Sequence, residues 1–200
     1  MSQRIIFLFF VMTFAISACA TVPQLKTKDL SGEVSIKKTI PHEKTIPVYI
    51  EGFTVAKTIS NPFAVGEART GGFNLPELIL SDDPLHLIVT EEIKKGLHKA
   101  GFTFVEKEKA HLSVSGRIER FWVEERIGGF VETANASVRY DVIIRDRQGR
   151  LVWANTVEAR EMAKSSLDVT KEDIPTLIKA LKKSVASLFE DDSFWKAMEQ

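Results

Sequence analysis

The chain has 200 residues, of which 44% are hydrophobic and 27% charged, and its 27 Lys and Arg side chains balance its 27 Asp and Glu side chains. Because the net charge is zero, the sequence lacks the excess of positive charge that indicates nucleic acid as a partner, and we expect none. The single cysteine, Cys19, excludes a disulfide framework and a thiolate metal site.

The first residues of the chain have the three parts of a secretory signal. Arg4 precedes an apolar run that begins at Ile5 and ends in Ile16-Ser17-Ala18-Cys19, after which the chain becomes polar. This run is too short for a membrane span of ~20 residues. Its end resembles the lipobox of bacterial lipoproteins. The resemblance implies a signal peptide over residues 1–18, cleavage before Cys19 and acylation of Cys19 by fatty acids such as palmitate.

An acylated Cys19 predicts where the protein resides. Two acyl chains anchor a protein stably, since each buried methylene contributes about 0.8 kcal/mol. By resemblance to the enterobacterial sorting rule, Ala20 after the cysteine favours the outer membrane, with the protein facing the periplasm. Two alternatives remain open at this point. They are an ordinary cysteine in an uncleaved anchor, and release of the chain by cleavage at the Ala-x-Ala site formed by residues 18–20.

Residues 19–44 are rich in Lys, Thr, Ser and Pro and carry scattered aliphatic side chains without a sustained period. We interpret them as a lipidated, mostly extended tether, with an edge strand at Val34, Ile36 and Ile40 as the alternative. Residues 45–200 are predicted to form a single domain.

The predicted domain begins with a strand at 46–56. Residues 57–80 contain several Gly and Pro residues, and we expect a packed loop there that ends in an edge strand at 75–80. Helical spacing of apolar residues then predicts a helix that ends at Gly101, a residue suited to the left-handed conformation. A short strand follows at 102–105.

Apolar and polar residues alternate over the next three strands, which predicts an antiparallel meander with one face on the core. The charges on the other face have both signs, and we interpret them as cross-strand ion pairs on a solvated surface and not as a binding site. They are Arg117, Glu119, Arg139, Asp141, Glu158 and Arg160. A last helix carries an apolar stripe over 174–189. After it, Ser193 is predicted to start a short turn that docks Phe194, Trp195 and Met198.

Together these elements predict an α+β fold. We expect a two-layer sandwich in which two helices pack on one face of a mostly antiparallel sheet of about five strands. Because a helix connects the strands at 46–56 and 102–105, these two strands are predicted to lie parallel.

The alternation breaks near the tip of the first hairpin in the meander. Phe121, Trp122 and Val123 are consecutive apolar residues, and Phe130 and Val131 follow the turn. One interpretation is a β-bulge that rotates the strand and folds the tip over a helix end. The other is an exposed aromatic patch of Phe121, Trp122 and Phe130 that binds a partner or a membrane surface.

Several of these features resemble the YajG family of bacterial lipoproteins. The resemblance rests on Val65-Gly66 and Gly71-Gly72 ahead of a helix that ends at Gly101-Phe102. It rests further on a Ser/Val strand running to Phe121-Trp122-Val123 and on the turn Asp146…Gly149…Trp153. It covers about residues 48–159 together with the lipobox. It implies an envelope lipoprotein that has no catalytic residues to assign.

We predict no catalytic site, metal or cofactor. The chain contains no Gly-x-Ser-x-Gly or His-Glu-x-x-His motif, and its four histidines fall in unrelated elements. We expect an accessory or docking lipoprotein that binds the membrane through Cys19 and an envelope protein or peptidoglycan through its domain. The alternative is an auxiliary lipoprotein that carries or gates lipid for an ABC-type transport system. An enclosed apolar cavity would favour lipid carriage, whereas an exposed apolar patch on a closed core would favour docking.

Overall fold

The computed structural model describes residues 22–41, 46–70, 75–128, 131–165 and 170–199. These residues form one mixed sheet of eight strands, with three α-helices packed on one of its faces. The strands are β1 (Gln24–Leu25), β2 (Pro47–Val55), β3 (Ala64–Thr70), β4 (Leu75–Ser81), β5 (Thr103–Phe104), β6 (Leu112–Gly128), β7 (Val131–Asp146) and β8 (Leu151–Ser165). The helices are α1 (Leu85–Lys99), α2 (Thr170–Glu190) and α3 (Asp192–Met198).

The sheet is organised around β6. One edge of β6 pairs antiparallel with β7 along its whole length, and β8 lies beyond β7. Its other edge is shared by two parallel neighbours. The first half, up to Ile118, pairs with β2, whereas Val123 and Glu124 pair with β3. Strand β5 adds to β2, and β4 followed by β1 adds to β3.

The structure corrects the predicted size of the sheet. Eight strands replace the expected five or so, and the sheet is mixed because β6 has parallel neighbours. The predicted parallel pairing of the strands at 46–56 and 102–105 is confirmed as β2 with β5. The main omission is β3, which lies in the stretch predicted as a loop. Its alternation is hidden by an irregularity between Ala64 and Gly66.

Gly66 allows β3 to approach β6 closely. A Cβ at this position would lie only 2.4 Å from the carbonyl oxygen of Val123, so a larger residue would push the two strands apart. A glycine that reads as loop punctuation in the sequence is therefore a requirement of strand pairing.

The segment predicted as a tether packs against the sheet edge and the helices over residues 22–41. Four of its aliphatic side chains are buried: Leu25, Leu30, Val34 and Ile40. Leu25 belongs to β1, which pairs in parallel with β4. The N–H of Ile40 donates to the carbonyl of Ala100 after α1 at 2.8 Å. The structure thus differs from an extended tether here. The aliphatic residues of this segment show no helical or strand period because each of them fills a separate site.

The predicted C-terminal turn is confirmed as helix α3, whose Phe194, Trp195 and Met198 are buried. Asp191 caps it, since its carboxylate accepts the N–H of Ser193 at 2.7 Å and the side-chain amide of Asn155 at 3.2 Å. Burial alone would raise the pKa of Asp191, but these hydrogen bonds outweigh it and hold the pKa below its usual value. The Trp195 indole also donates to the carbonyl of Phe189 at 2.8 Å, which fixes α3 against α2.

We predict that Leu25→Ala and Leu30→Ala each lower the free energy of unfolding by about 2–5 kcal/mol, because each leaves a cavity in a packed site. Leu151→Ala is the control, since this leucine is 60% exposed, and we expect its effect to stay within about 0.5 kcal/mol. Urea denaturation measures all three values. Wild-type stability of both Leu25→Ala and Leu30→Ala would contradict the packing of residues 22–41.

Candidate functional site

The structure separates the residues of the predicted aromatic patch. A β-bulge at Glu119 shifts the alternation of β6, so that Phe121 faces the core and Trp122 faces outward. Phe121 is 2% exposed, and Trp122 is half-buried opposite Ser137 of β7. Phe130 lies outside the described residues. Phe121 and Trp122 therefore do not share an exposed surface, and the bulge that the sequence allowed is present.

The predicted lipidation residue, Cys19, also lies outside the described residues. None of the helices in the described ranges is long and apolar enough to cross a membrane.

The outward face of the sheet, which we call the outer face, carries most of the ion pairs that the alternation predicts. Arg117 bonds to Glu119 and lies 3.3 Å from Asp141, and Arg160 lies 2.6 Å from Glu158. Such exposed pairs each contribute about 0–1 kcal/mol. Only Arg117–Asp141 among these joins two strands, whereas Arg117–Glu119 and Arg160–Glu158 lie along one strand each, so the predicted cross-strand pairing is confirmed in part.

Arg120 departs from this pattern. It lies on the outer face directly opposite Arg139 of β7, so two like charges face each other in register. Alternation along the unbulged strand would place residue 120 in the core, next to Ile118. Only the bulge brings Arg120 to the outer face, which is why sequence reasoning missed this pair.

An apolar surface lies at the opposite side of the same face. On β4, three exposed side chains point outward in alternation, Pro76, Leu78 and Leu80, and we call them the β4 strip. Leu78 is 50% exposed and Leu80 is 39% exposed. Glu67 lies directly opposite Leu78 on β3 and gives the strip a charged border. The Leu-rich sequence of 75–80 indicated a strand, but with β3 unrecognised the outward face of that strand could not be assigned.

Buried polar groups occur on several elements of the described chain. The Glu92 carboxylate of α1 bonds through one oxygen to Lys95, and its other oxygen has no partner in the described chain. Glu125 of β6 accepts the backbone N–H of Arg69 at 2.7 Å, which continues the link between β6 and β3. Burial raises the pKa of the Tyr140 hydroxyl on β7 well above its usual value. Within the described ranges no group of three His, Cys, Asp or Glu side chains is placed to hold a metal ion.

No family model matches the sequence, and no curated protein matches it. The fold is similar to that of a DUF330 protein from Xanthomonas campestris, with a TM-score of 0.54 at 10% identity, covering 87% of this chain and 94% of that one. A minor lipoprotein from Acinetobacter baumannii gives a TM-score of 0.45 at 10% identity, covering 75% of this chain and 92% of that one. At such identities the likeness shows the α+β fold alone, and the resemblance to YajG stays a prediction.

We predict that Phe121→Ala lowers the free energy of unfolding by about 3–5 kcal/mol, as expected for an aromatic side chain removed from a packed core. Trp122→Ala on the neighbouring residue is the matched comparison, and we expect a loss of about 1 kcal/mol because its indole is only half-buried. Urea denaturation gives both values. Equal losses would mean that the bulge does not place the two rings on opposite faces.

Proposed function

We propose that this chain is a lipid-anchored accessory protein of the bacterial cell envelope that docks on another envelope protein and has no catalytic activity. The observation that carries docking is the β4 strip, an exposed apolar surface on a domain whose other large apolar side chains mostly form one core. Exposed contiguous apolar surface bordered by charge is typical of protein interfaces. The anchor rests on the lipobox at Cys19, and Ala20 favours the outer membrane.

The packed N-terminal segment supports this arrangement. Gln24 of β1 lies in register with Leu80 of β4, and it follows Cys19 by only five positions in the chain. Five residues span at most about 18 Å when fully extended. An acylated Cys19 would therefore hold the β4 strip close to the bilayer, and the docking partner is expected at the same membrane.

A protein is the partner that fits the strip better than the bilayer itself. Glu67 lies directly opposite Leu78 and is exposed. Pressing the strip into lipid would bring this carboxylate towards the hydrocarbon, where an unpaired charge is strongly disfavoured. A protein surface can instead leave it at a solvated rim.

The anchor is tested by Cys19→Ser. We expect this variant to stay as an unacylated precursor that keeps its signal peptide, because the acylated thiol is what the processing step requires in the lipoproteins that the motif resembles. Mass spectrometry of the wild-type N-terminus should find an acylated Cys19. A mature chain that begins elsewhere, or an unmodified residue 19, would contradict the anchor.

Docking is tested by replacing Leu78 with a photoactivatable amino acid and irradiating intact cell envelopes. We expect one discrete protein adduct, identified by mass spectrometry, and its loss when Leu80→Asp is added. The control places the same photoactivatable group at Leu151, which is exposed but distant in the sheet order, on β8. The purified adduct partner should then bind the wild-type chain and not Leu80→Asp. Adducts with lipid alone would contradict docking and favour the lipid-carrying alternative.

A further inference from the structure

Two like-charged side chains face each other across β6 and β7. Directly opposite residues in an antiparallel pair have Cβ atoms about 4.5–5.5 Å apart, and like charges at this spacing are destabilising. Arg120 and Arg139 occupy such a position on the outer face. Stability gives no reason for this pair.

The two guanidinium groups are poorly compensated within the protein. The Arg120 side chain makes no hydrogen bond or ion pair with any other described residue, and Arg139 reaches Glu158 only at 4.0 Å. Glu158 is already bonded to Arg160, whose Nε lies 2.7 Å from the Glu158 Oε1. One carboxylate thus serves both Arg139 and Arg160, and Arg120 is left without one. Arg117 on the same face is the contrast, since two carboxylates surround it.

These arginines line an open groove of about 730 Å³ on the outer face, which we call the arginine groove. Its wall contains five positive and three negative side chains, an excess of two positive charges. The other two carboxylates are engaged, Glu124 with Arg126 and Glu161 with Lys183. The excess charge therefore belongs to Arg120, Arg139 and Arg160.

The groove also offers a neutral hydrogen-bond donor. Ser137 of β7 lies in register between Trp122 of β6 and Arg160 of β8, one row from the Arg120–Arg139 pair. Its hydroxyl makes no hydrogen bond to the rest of the described chain and is half-exposed to the groove. A ligand held between the two arginines would therefore lie one row of side chains away from this hydroxyl, close enough to approach it.

We propose that the arginine groove binds a phosphate monoester. Such a group carries about −1.5 to −2 charges at neutral pH and three acceptor oxygens, which matches the excess of two charges in the groove. Guanidinium groups bind phosphate oxygens through paired N–H donors, so Arg120 and Arg139 can each donate two hydrogen bonds to the phosphate. The phosphate can belong to a soluble ester or to a lipid headgroup. This proposal rests on different residues from those that carry docking through the β4 strip.

The test is calorimetric titration of the purified acylated protein in a non-ionic detergent with glucose 1-phosphate, at ionic strength held constant with sodium chloride. We expect saturable binding of one ligand per chain. Arg120→Gln and Arg139→Gln should each weaken it by at least about tenfold, because a charge-assisted hydrogen bond is lost. Arg117→Gln is the matched control and should bind like the wild type.

Thermal melting separates binding from folding. Since Arg120→Gln removes a like-charge contact, the ligand-free variant should melt at the same temperature as the wild type or higher. Glucose 1-phosphate should raise the melting temperature of the wild type and of Arg117→Gln more than that of Arg120→Gln. The proposal fails if titration shows no saturable binding, if Arg117→Gln weakens binding as much as Arg120→Gln, or if Arg120→Gln melts at a lower temperature.

Short-chain lipids distinguish the two sources of phosphate. Dihexanoyl phosphatidic acid carries a monoester, whereas dihexanoyl phosphatidylglycerol carries a diester with a single charge. If phosphatidic acid binds at least about tenfold tighter than glucose 1-phosphate, the natural ligand is a lipid headgroup. If phosphatidic acid binds equally well or more weakly, the natural ligand is a soluble ester. Tighter binding of the diester than of either monoester would overturn the charge match on which the proposal rests.

Discussion

The pairing of β6 on both of its edges is the constraint on which the rest of the structure depends. One strand of 17 residues must serve β7 along one side and two separate parallel neighbours, β2 and β3, along the other. The bulge at Glu119 falls between these two neighbours and increases the local twist, as bulges do. It also exchanges the faces of the strand, so that Phe121 and Val123 continue the core that Val114 and Ile118 begin. A single inserted residue thereby decides both the topology of the sheet and the composition of its outer face.

With the proposed anchor at Cys19, the N-terminal segment would link this sheet to the membrane more tightly than its composition indicates. A free tether of some 25 residues would let the domain turn and drift far from the bilayer, since a flexible chain of that length has a root-mean-square span of about 25–30 Å and a larger reach. With residues 22–41 packed, only two residues lie between Cys19 and the packed segment. Under the proposed anchor, so short a link would keep the β1–β4 edge near the bilayer. The burial of Leu25 and Leu30 would then constrain the orientation of the domain as well as stabilise it.

The elements that sequence reasoning identified are those whose side chains follow one period. Alternation located β7, and helical spacing with Gly101 located α1, where that glycine has φ +98°. The elements it missed are those where a close backbone approach replaces side-chain packing. Strand β3 was not recognised because it contains Gly66, where no side chain fits against Val123. Strand β1 was not recognised because two residues are too few to form a pattern. The arginine groove was also missed because of a backbone feature that the side-chain period does not show. Arg120 could not be assigned to the outer face without the bulge, and its partner Arg139 reads as one more solvated charge.

The β4 strip and the arginine groove share one face of the sheet and are separated by β3 and β6. Neighbouring strands lie about 4.8 Å apart, so β4 and β7 are roughly 15 Å from each other across the sheet. A standard interface covers about 800 Å² on each partner, a disc roughly 30 Å wide. A protein centred on Leu78 would extend over Trp122 and meet Arg120, and its matching surface is therefore expected to carry negative charge on that side. A phosphate in the groove would neutralise the charge which that surface meets. Binding of the two ligands is then linked, and by thermodynamic reciprocity each alters the affinity for the other by the same factor.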